Sequence, residues 1–465
     1  MKSIALIGCV GAVCACAAVG GVCEPEWRAL TGPTGTGTTA PVFALAVYDP
    51  GMGPRLYVGG SFGSAGGVTV NRIARWNGAS WAALPGVDTP GVSGTVNALA
   101  VYDDGSGPAL YVGGAFTEAG GVTVNRIARW NGASWSALSS PGGVGVPSGV
   151  ITAMTVHDDG NGPALYVGGS FATIGGVTAN GVARWDGSSW SALTGPGGTG
   201  VSGSVMALAG HNDGNGAALY VGGSFVTAGG VTVSDIAKWD GAAWSALPGP
   251  GGVGVSGGFG SVQALASHDD GNGPALFVGG GFASAGGVEA HGAARWDGAS
   301  WSAMSGPSGN GMLGSQEVAV YEFAVVDDGS GPSLFATGEF DVAGGVQVNG
   351  IARWRGAGWS ALEWKGGVGV GDTIAVHAMA QFDDGEGPAL FAGGLFFGVG
   401  DPDVPLMVNR IARWACHVES ACPGDYNGDN VVDFEDLSIV LGDFGGAYGF
   451  DDLSAVLANF GEDCG

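Results

Sequence analysis

One three-residue word, Ala-Arg-Trp, returns along the chain at a nearly constant interval, and this period constrains the fold more than any other feature. It stands at Ala74-Arg75-Trp76, Ala128-Arg129-Trp130, Ala183-Arg184-Trp185, Ala237-Lys238-Trp239 (with Lys for Arg), Ala294-Arg295-Trp296, Ala352-Arg353-Trp354 and Ala412-Arg413-Trp414. The seven copies lie 54, 55, 54, 57, 58 and 60 residues apart. Each interval reads as four short strands. An apolar run such as 96–102 leads into an Asp-Gly turn at Asp103-Asp104-Gly105, and Leu-Tyr-Val-Gly-Gly follows at 110–114. Then come Asn-Arg-Ile-Ala-Arg-Trp at 125–130 and Ser-Trp-Ser-Ala-Leu at 134–138. Asn131-Gly132 between the last two is a hairpin signal, because a tight primed turn needs positive φ. Strands this short cannot bury a face alone, so successive units must stack as blades.

The two ends of the array are complementary. The outer-strand word Trp-x-Ala-Leu/Met also occurs seven times, but its first copy, Trp27-Arg28-Ala29-Leu30, precedes any complete unit. The last unit stops after Trp414 without one. The sequence therefore predicts a mainly β fold: a seven-bladed β-propeller of four-stranded blades over residues 23–415, closed by the N-terminal strand. Closure leaves no open sheet edge. Glycine, 96 of 465 residues, serves turns and close backbone approaches in this scheme. Disorder is excluded by 45% hydrophobic content and 15 Trp.

Residues 1–18 read as a secretory signal peptide: a charged start, an apolar stretch at 4–13 and small residues around Ala15-Cys16-Ala17. The residues before Cys14, Cys16 and Cys23 fit a lipoprotein signal poorly. No later segment is long and apolar enough to span a bilayer, so the expectation is a secreted or cell-surface protein. Export leaves Cys23, Cys416, Cys422 and Cys464, and an oxidising compartment favours two disulfides. Four cysteines allow three pairings. Cys23 and Cys416 stand where the closing blade lacks its third turn, which favours pairing them and leaves Cys422 with Cys464. The net charge of −26 disfavours nucleic acid as a partner and favours cations.

The propeller repeat resembles kelch and galactose-oxidase-type propellers, with an apolar strand ending in Gly-Gly, an Arg-Trp strand and a Trp-bearing outer strand. That resemblance specifies architecture and leaves activity open. Residues present in every unit read as architectural: the Gly-Gly pairs, the paired Trp, and the Arg, which is expected to pair with turn aspartates or stack on Trp. The Asp pairs 103-104, 158-159, 269-270, 327-328 and 383-384 form a rim of carboxylates, read as turn chemistry before weak calcium binding. His157, His211 and His268 end three first strands and read as exposed turn histidines in preference to a metal site. Function is expected where the repeat breaks, in loops carrying His291, Glu322, Glu363-Trp364-Lys365 and the insertion at 401–405. No G-x-S-x-G, H-E-x-x-H or phosphate-loop word occurs, and the chain reads as a binding protein before an enzyme.

Beyond a linker at 416–424, residues 425–436 read Asp-Tyr-Asn-Gly-Asp-Asn-Val-Val-Asp-Phe-Glu-Asp. Calcium takes six to eight oxygens, and a twelve-residue loop presents them at positions 1, 3, 5, 7, 9 and 12. Those positions are Asp425, Asn427, Asp429, the Val431 carbonyl, Asp433 and Asp436. A helix is predicted over 434–444, with Leu437, Val440, Leu441 and Phe444 on one face. Its sequence returns at 450–461 with eight of twelve positions identical, but Leu441, Gly445 and Gly449 replace the ligands of a second loop. This small α-helical module, 425–465, resembles dockerin with one calcium loop in place of two, which implies a docking or anchoring role. A cohesin-like partner is weakened by Phe434-Glu435 and Phe450-Asp451, where dockerins often carry a hydroxyl pair. The combined expectation is a secreted scaffold with a carbohydrate or protein ligand on the propeller rim. The alternative is an extracellular carbohydrate-active oxidase or lyase.

Overall fold

The computed structural model describes residues 23–314, 318–327, 331–364, 367–370, 375–399, 406–418, 432–442, 453–454, 456–457 and 460. The signal peptide, most of the 416–424 linker, the 401–405 insertion, Lys365, and Asp425, Asn427, Asp429 and Val431 of the calcium loop lie outside them. So do Cys422, Cys464 and the side chains of Cys23 and Cys416. The chain divides into two units. One comprises Trp27–Asp327 and Gly331–Trp414; the other includes the C-terminal helix.

The first unit is mainly β and propeller-like. Its seven four-stranded antiparallel sheets are numbered here by their inner strands: Val42–Tyr48, Val96–Asp103, Val150–Asp158, Ser204–Asn212, Val262–Asp269, Ala319–Asp327 and Val376–Asp383. The second sheet shows the common plan. Val96–Asp103 pairs with Pro108–Gly114, then Ile127–Trp130, then Trp135–Ala137 at the outside. Each inner strand packs against the next, and Val376–Asp383 packs against Val42–Tyr48. The seventh sheet runs Val376–Asp383, Pro388–Gly394, Ile411–Val418 and Cys23–Ala29, so its outer strand comes from the beginning of the chain.

Side-chain periodicity explains the packing. In Pro108–Gly114 every residue after the proline is buried, as expected of a strand covered on both faces. Gly113 is needed for close approach, since a Cβ there would lie 2.6 Å from Ile151 Cγ2 of the third sheet. Trp130 of the third strand and Trp135 of the outer strand are directly paired, with ring centroids 5.0 Å apart. The Arg of the repeated word lies between second strand and turn: Arg129 Nε is 3.0 Å from Asp104 Oδ2, and Arg413 Nε 2.6 Å from Asp384 Oδ2. The sequence expectation for this Arg is met in these sheets.

Two local expectations need correcting. Asn131-Gly132 is not a two-residue primed turn: only Gly132 has positive φ, and Asn131 Oδ1 accepts the N–H groups of Ala133 and Ser134 in a four-residue connection. The primed turn falls instead at Gly120-Gly121, both at positive φ, joining Glu118–Ala119 to Val122–Thr123. The third strand also begins two residues late. Asn125 and Arg126 sit at φ 51° and 69°, a left-handed pair that turns the chain into Ile127–Trp130.

In the second unit, the helix covers Phe434–Gly442 and buries Val440 with Val432 and Val456. Phe434 meets Phe460 edge-on at 5.0 Å.

Candidate functional site

Seven copies of one inner strand supply an internal control, because a side chain that departs from its six counterparts has no architectural reason to be there. Near the C-terminal end of the inner strands the shared position is aromatic in the first two sheets. Tyr48 and Tyr102 are buried and donate their hydroxyls to the Pro108 and Pro163 carbonyls of the following sheets. The third, fourth and fifth sheets carry His157, His211 and His268 there.

These are not exposed turn histidines, which corrects the sequence reading. His157 is 8% and His211 4% exposed, and each packs on the tyrosine beside it, Tyr166 and Tyr220, at 5.8 and 5.7 Å. They precede the turn residues by one position, which is enough to turn them inward on a strand. His211 Nδ1 is 2.8 Å from Ser267 Oγ of the fifth sheet. The Nε2 atoms of both histidines are buried without a hydrogen-bond partner. Burial holds both imidazoles below the ordinary histidine range, hence neutral at physiological pH.

An open depression of about 580 Å³ lies between these three sheets. Its cause is a loss of side-chain volume. The residue before the aromatic position is Val47, Val101, Val156 and Val325 in four sheets but Gly210 in the fourth and Ser267 in the fifth. A Cβ at 210 would lie 2.6 Å from His157 Nδ1, so the glycine admits the imidazole. Thr155, His157, His211, Asn212 and Ser267 give the wall neutral hydrogen-bonding groups, Asp158 adds a carboxylate, and Leu208 and Ala209 give it apolar surface.

At the opposite end of the inner strands, a β-bulge in each sheet sets out one residue: Phe43, Asn97, Thr152, Met206, Gln263, Tyr321 and His377. His377 touches Phe43 at 5.3 Å and Tyr321 at 4.8 Å between ring centroids, an aromatic arc across three sheets. Glu322 lies beside it on an inner strand, not in a loop as the sequence suggested.

Two of the other repeat breaks, His291 and Trp364, lie in turns of the described residues. His291 occupies the left-handed turn position held by Asn125 in the second sheet, at φ 41°, with Nε2 2.8 Å from Glu289. Trp364 lies in the short hairpin of Glu363–Trp364 with Gly367–Val368. The turn aspartates are engaged: Asp103 Oδ1 accepts the N–H groups of Gly105 and Gly107, and Asp104 accepts the Tyr111 hydroxyl and faces Arg129. Burial alone would raise Asp104, but hydrogen bonds from Ser106 and Tyr111 outweigh it and hold the carboxyl below its usual range. The Tyr166 and Tyr220 hydroxyls are likewise given to Asp159 and Asp213. Among the described residues no three His, Cys, Asp or Glu side chains converge as metal ligands.

Of the six expected calcium ligands, Asp433 and Asp436 are described. Asp433 Oδ1 accepts the Glu435 N–H, and Asp436 Oδ2 accepts the Asp433 N–H at 2.9 Å, a capping box at the start of Phe434–Gly442. Asp436 is fully buried.

The described architecture defines the chain as a β-propeller protein. Within it, residues 55–78 match the family described as a domain of unknown function (DUF5122) beta-propeller. No curated protein matches. Two solved structures of the extracellular domain of a B. thetaiotaomicron protein, described as a hybrid two component and a one component system, align with a TM-score of 0.48 and 11% identity. They cover 84% of this chain, which spans 39% of theirs. The structure of BBS1N in complex with ARL6DN aligns with a TM-score of 0.43 and 13% identity, covering 86% of this chain and 98% of that one.

Proposed function

We propose that this is an exported binding protein: a closed seven-bladed propeller that reads a small, uncharged, polar ligand in the cavity beside His157 and His211, with a C-terminal module that docks through one calcium ion. The ring reading rests on the cyclic packing of the inner strands and on Trp27 completing the sheet of Trp414. The ligand reading rests on the departure of His157, Gly210, His211 and Ser267 from their counterparts in the other sheets and on the one 580 Å³ space they line. A wall of imidazole, hydroxyl and amide groups with one carboxylate, Asp158, suits a hydroxyl-rich saccharide.

An oxidase reading draws no support from this cavity, because its neighbouring tyrosine hydroxyls are engaged by Asp159 and Asp213. The calcium loop is supported by the spacing of Asp425, Asn427, Asp429, Val431, Asp433 and Asp436 alone, and the disulfides of Cys23 with Cys416 and Cys422 with Cys464 by export and by the missing turn.

A glycan array probed with the full chain tests the ligand class. Binding that disappears when His157→Tyr and Gly210→Val are introduced together supports the assignment. These residues are the ones the first two sheets carry, so the scaffold is retained. Binding unchanged by the pair would place the ligand elsewhere.

A further inference from the structure

The sixth sheet breaks the repeat at two positions that face each other. Glu322 pairs directly with Thr337 across the hairpin. In the other six sheets the same pair is Ala with Gly: Ala44 with Gly59, Ala98 with Gly113, Ala153 with Gly168, Ala207 with Gly222, Ala264 with Gly279 and Ala378 with Gly393. Directly paired residues project from the same face of a sheet. A fully buried Thr337 and a partly exposed Glu322 thus stand between the sixth and seventh sheets, where every other interface has a methyl and a hydrogen.

Neither group is fully compensated. Thr337 is 0% exposed and its Oγ1 has no hydrogen-bond partner. Glu322 accepts one hydrogen bond, from the Met379 backbone N–H of the seventh sheet. Among the described residues no cation opposes it. A carboxyl in that position is retained at a cost, in a chain whose charge of −26 already favours cations. Beside it stands the arc of Phe43, His377 and Tyr321, each partly exposed. Aromatic faces next to a carboxyl are the elements that recognise an organic ammonium group.

We propose that the Glu322 and Thr337 pair, with the Phe43, His377 and Tyr321 arc, forms a second site that binds a small organic cation, a primary or quaternary ammonium. The carboxylate supplies the counter-charge, Thr337 a hydrogen bond, and the rings a surface for the ammonium carbons. A metal ion is the weaker fit, since one carboxyl and one hydroxyl fall short of the oxygen shell that calcium or magnesium takes.

Desolvation raises Glu322, which is partly exposed, to about 8, so a protonated fraction is present at neutral pH when no cation is bound. Binding of the ammonium ionises it and releases its proton. The titratable groups on the packed strands are Tyr321, Glu339 and Asp327 in its own sheet, His377 and Asp383 in the seventh, and His268 and Asp269 at the far end of the fifth. Burial pushes His377 down to about 4 and Tyr321 up to about 12, with Glu339 adding to the latter. Neither changes charge near neutrality, and Glu322 carries the release.

Calorimetric titration of the full chain with ethanolamine and with tetramethylammonium, at pH 7 in two buffers of different ionisation enthalpy, tests this. One cation per chain with a measurable proton release is expected. Glu322→Gln should weaken binding at least tenfold and abolish the release. Glu322→Ala with Thr337→Gly restores the pair of the other six sheets, so it should fold with an unchanged circular dichroism spectrum and bind neither probe. Absence of binding to the wild type, equal binding by the reverted variant, or equal affinity for uncharged glycerol without proton release would overturn the proposal. The site is at the other end of the inner strands from His157, so His157→Tyr should leave it unaltered.

Discussion

Trp27 packs against Trp414 with ring centroids 6.5 Å apart and planes inclined by 53°, the place that Trp135 holds against Trp130 within a single unit. Six such pairs join neighbours in sequence. The seventh pairs Trp27 with Trp414, which lie far apart in the sequence.

Trp27→Ala should therefore be more damaging than its chemistry suggests. The side chain is 2% exposed, and truncating a buried Trp costs about 3–5 kcal/mol at any site. Here the loss also frees an outer strand. Trp81→Ala, in a unit whose strands are tethered by short turns, is the control. Thermal unfolding should show the larger drop for Trp27→Ala, with faster proteolysis near the N-terminus.

The buried histidines give stability a definite pH dependence. His157 and His211 are held below the unfolded value near 6.5, chiefly by burial. Above that value both states are neutral there, and the full contribution is present. As pH falls through it, the unfolded chain takes up protons that the native chain resists, so stability is lost. Melting temperature should fall between pH 7 and pH 5, and His157→Tyr with His211→Tyr should flatten that part of the profile. An unchanged slope would mean that these rings are accessible to solvent.

Arg129 and Asp104 have side-chain exposures of only 15% and 12%. Removing one partner of such a pair strands the other charge, at roughly 3–5 kcal/mol when burial is complete and less here. Arg129→Ala should lower the denaturant midpoint clearly. Arg28 and Glu386, 35% and 60% exposed at 3.2 Å, form a surface pair worth about 1 kcal/mol at most. Arg28→Ala should leave the midpoint almost unmoved, and comparable losses would contradict the burial argument.

In the C-terminal module, Asp429→Ala with Asp436→Ala should abolish the single calcium site, read by calorimetry on the full chain. Asp436→Ala alone should also weaken the helix by about 1 kcal/mol without calcium, through loss of the hydrogen bond to the Asp433 N–H. A double variant that binds calcium normally would remove the loop from consideration.

From the amino-acid order alone came the period, the four strands per unit, the architectural role of Arg129 and its counterparts, and the complementarity of Trp27 with the truncated last unit. These were legible because they depend on local alternation and on words that repeat. Which repeat breaks matter was decided by tertiary structure. His157 and His211 look like turn residues in the chain, yet one strand position turns them inward, and Gly210 matters only through a cavity shared by three sheets. Glu322 and Thr337 are separated by a whole hairpin, and only strand register makes them one pair. The physical reason is that burial and desolvation belong to the space between sheets, and that space exists only once distant units have been packed together.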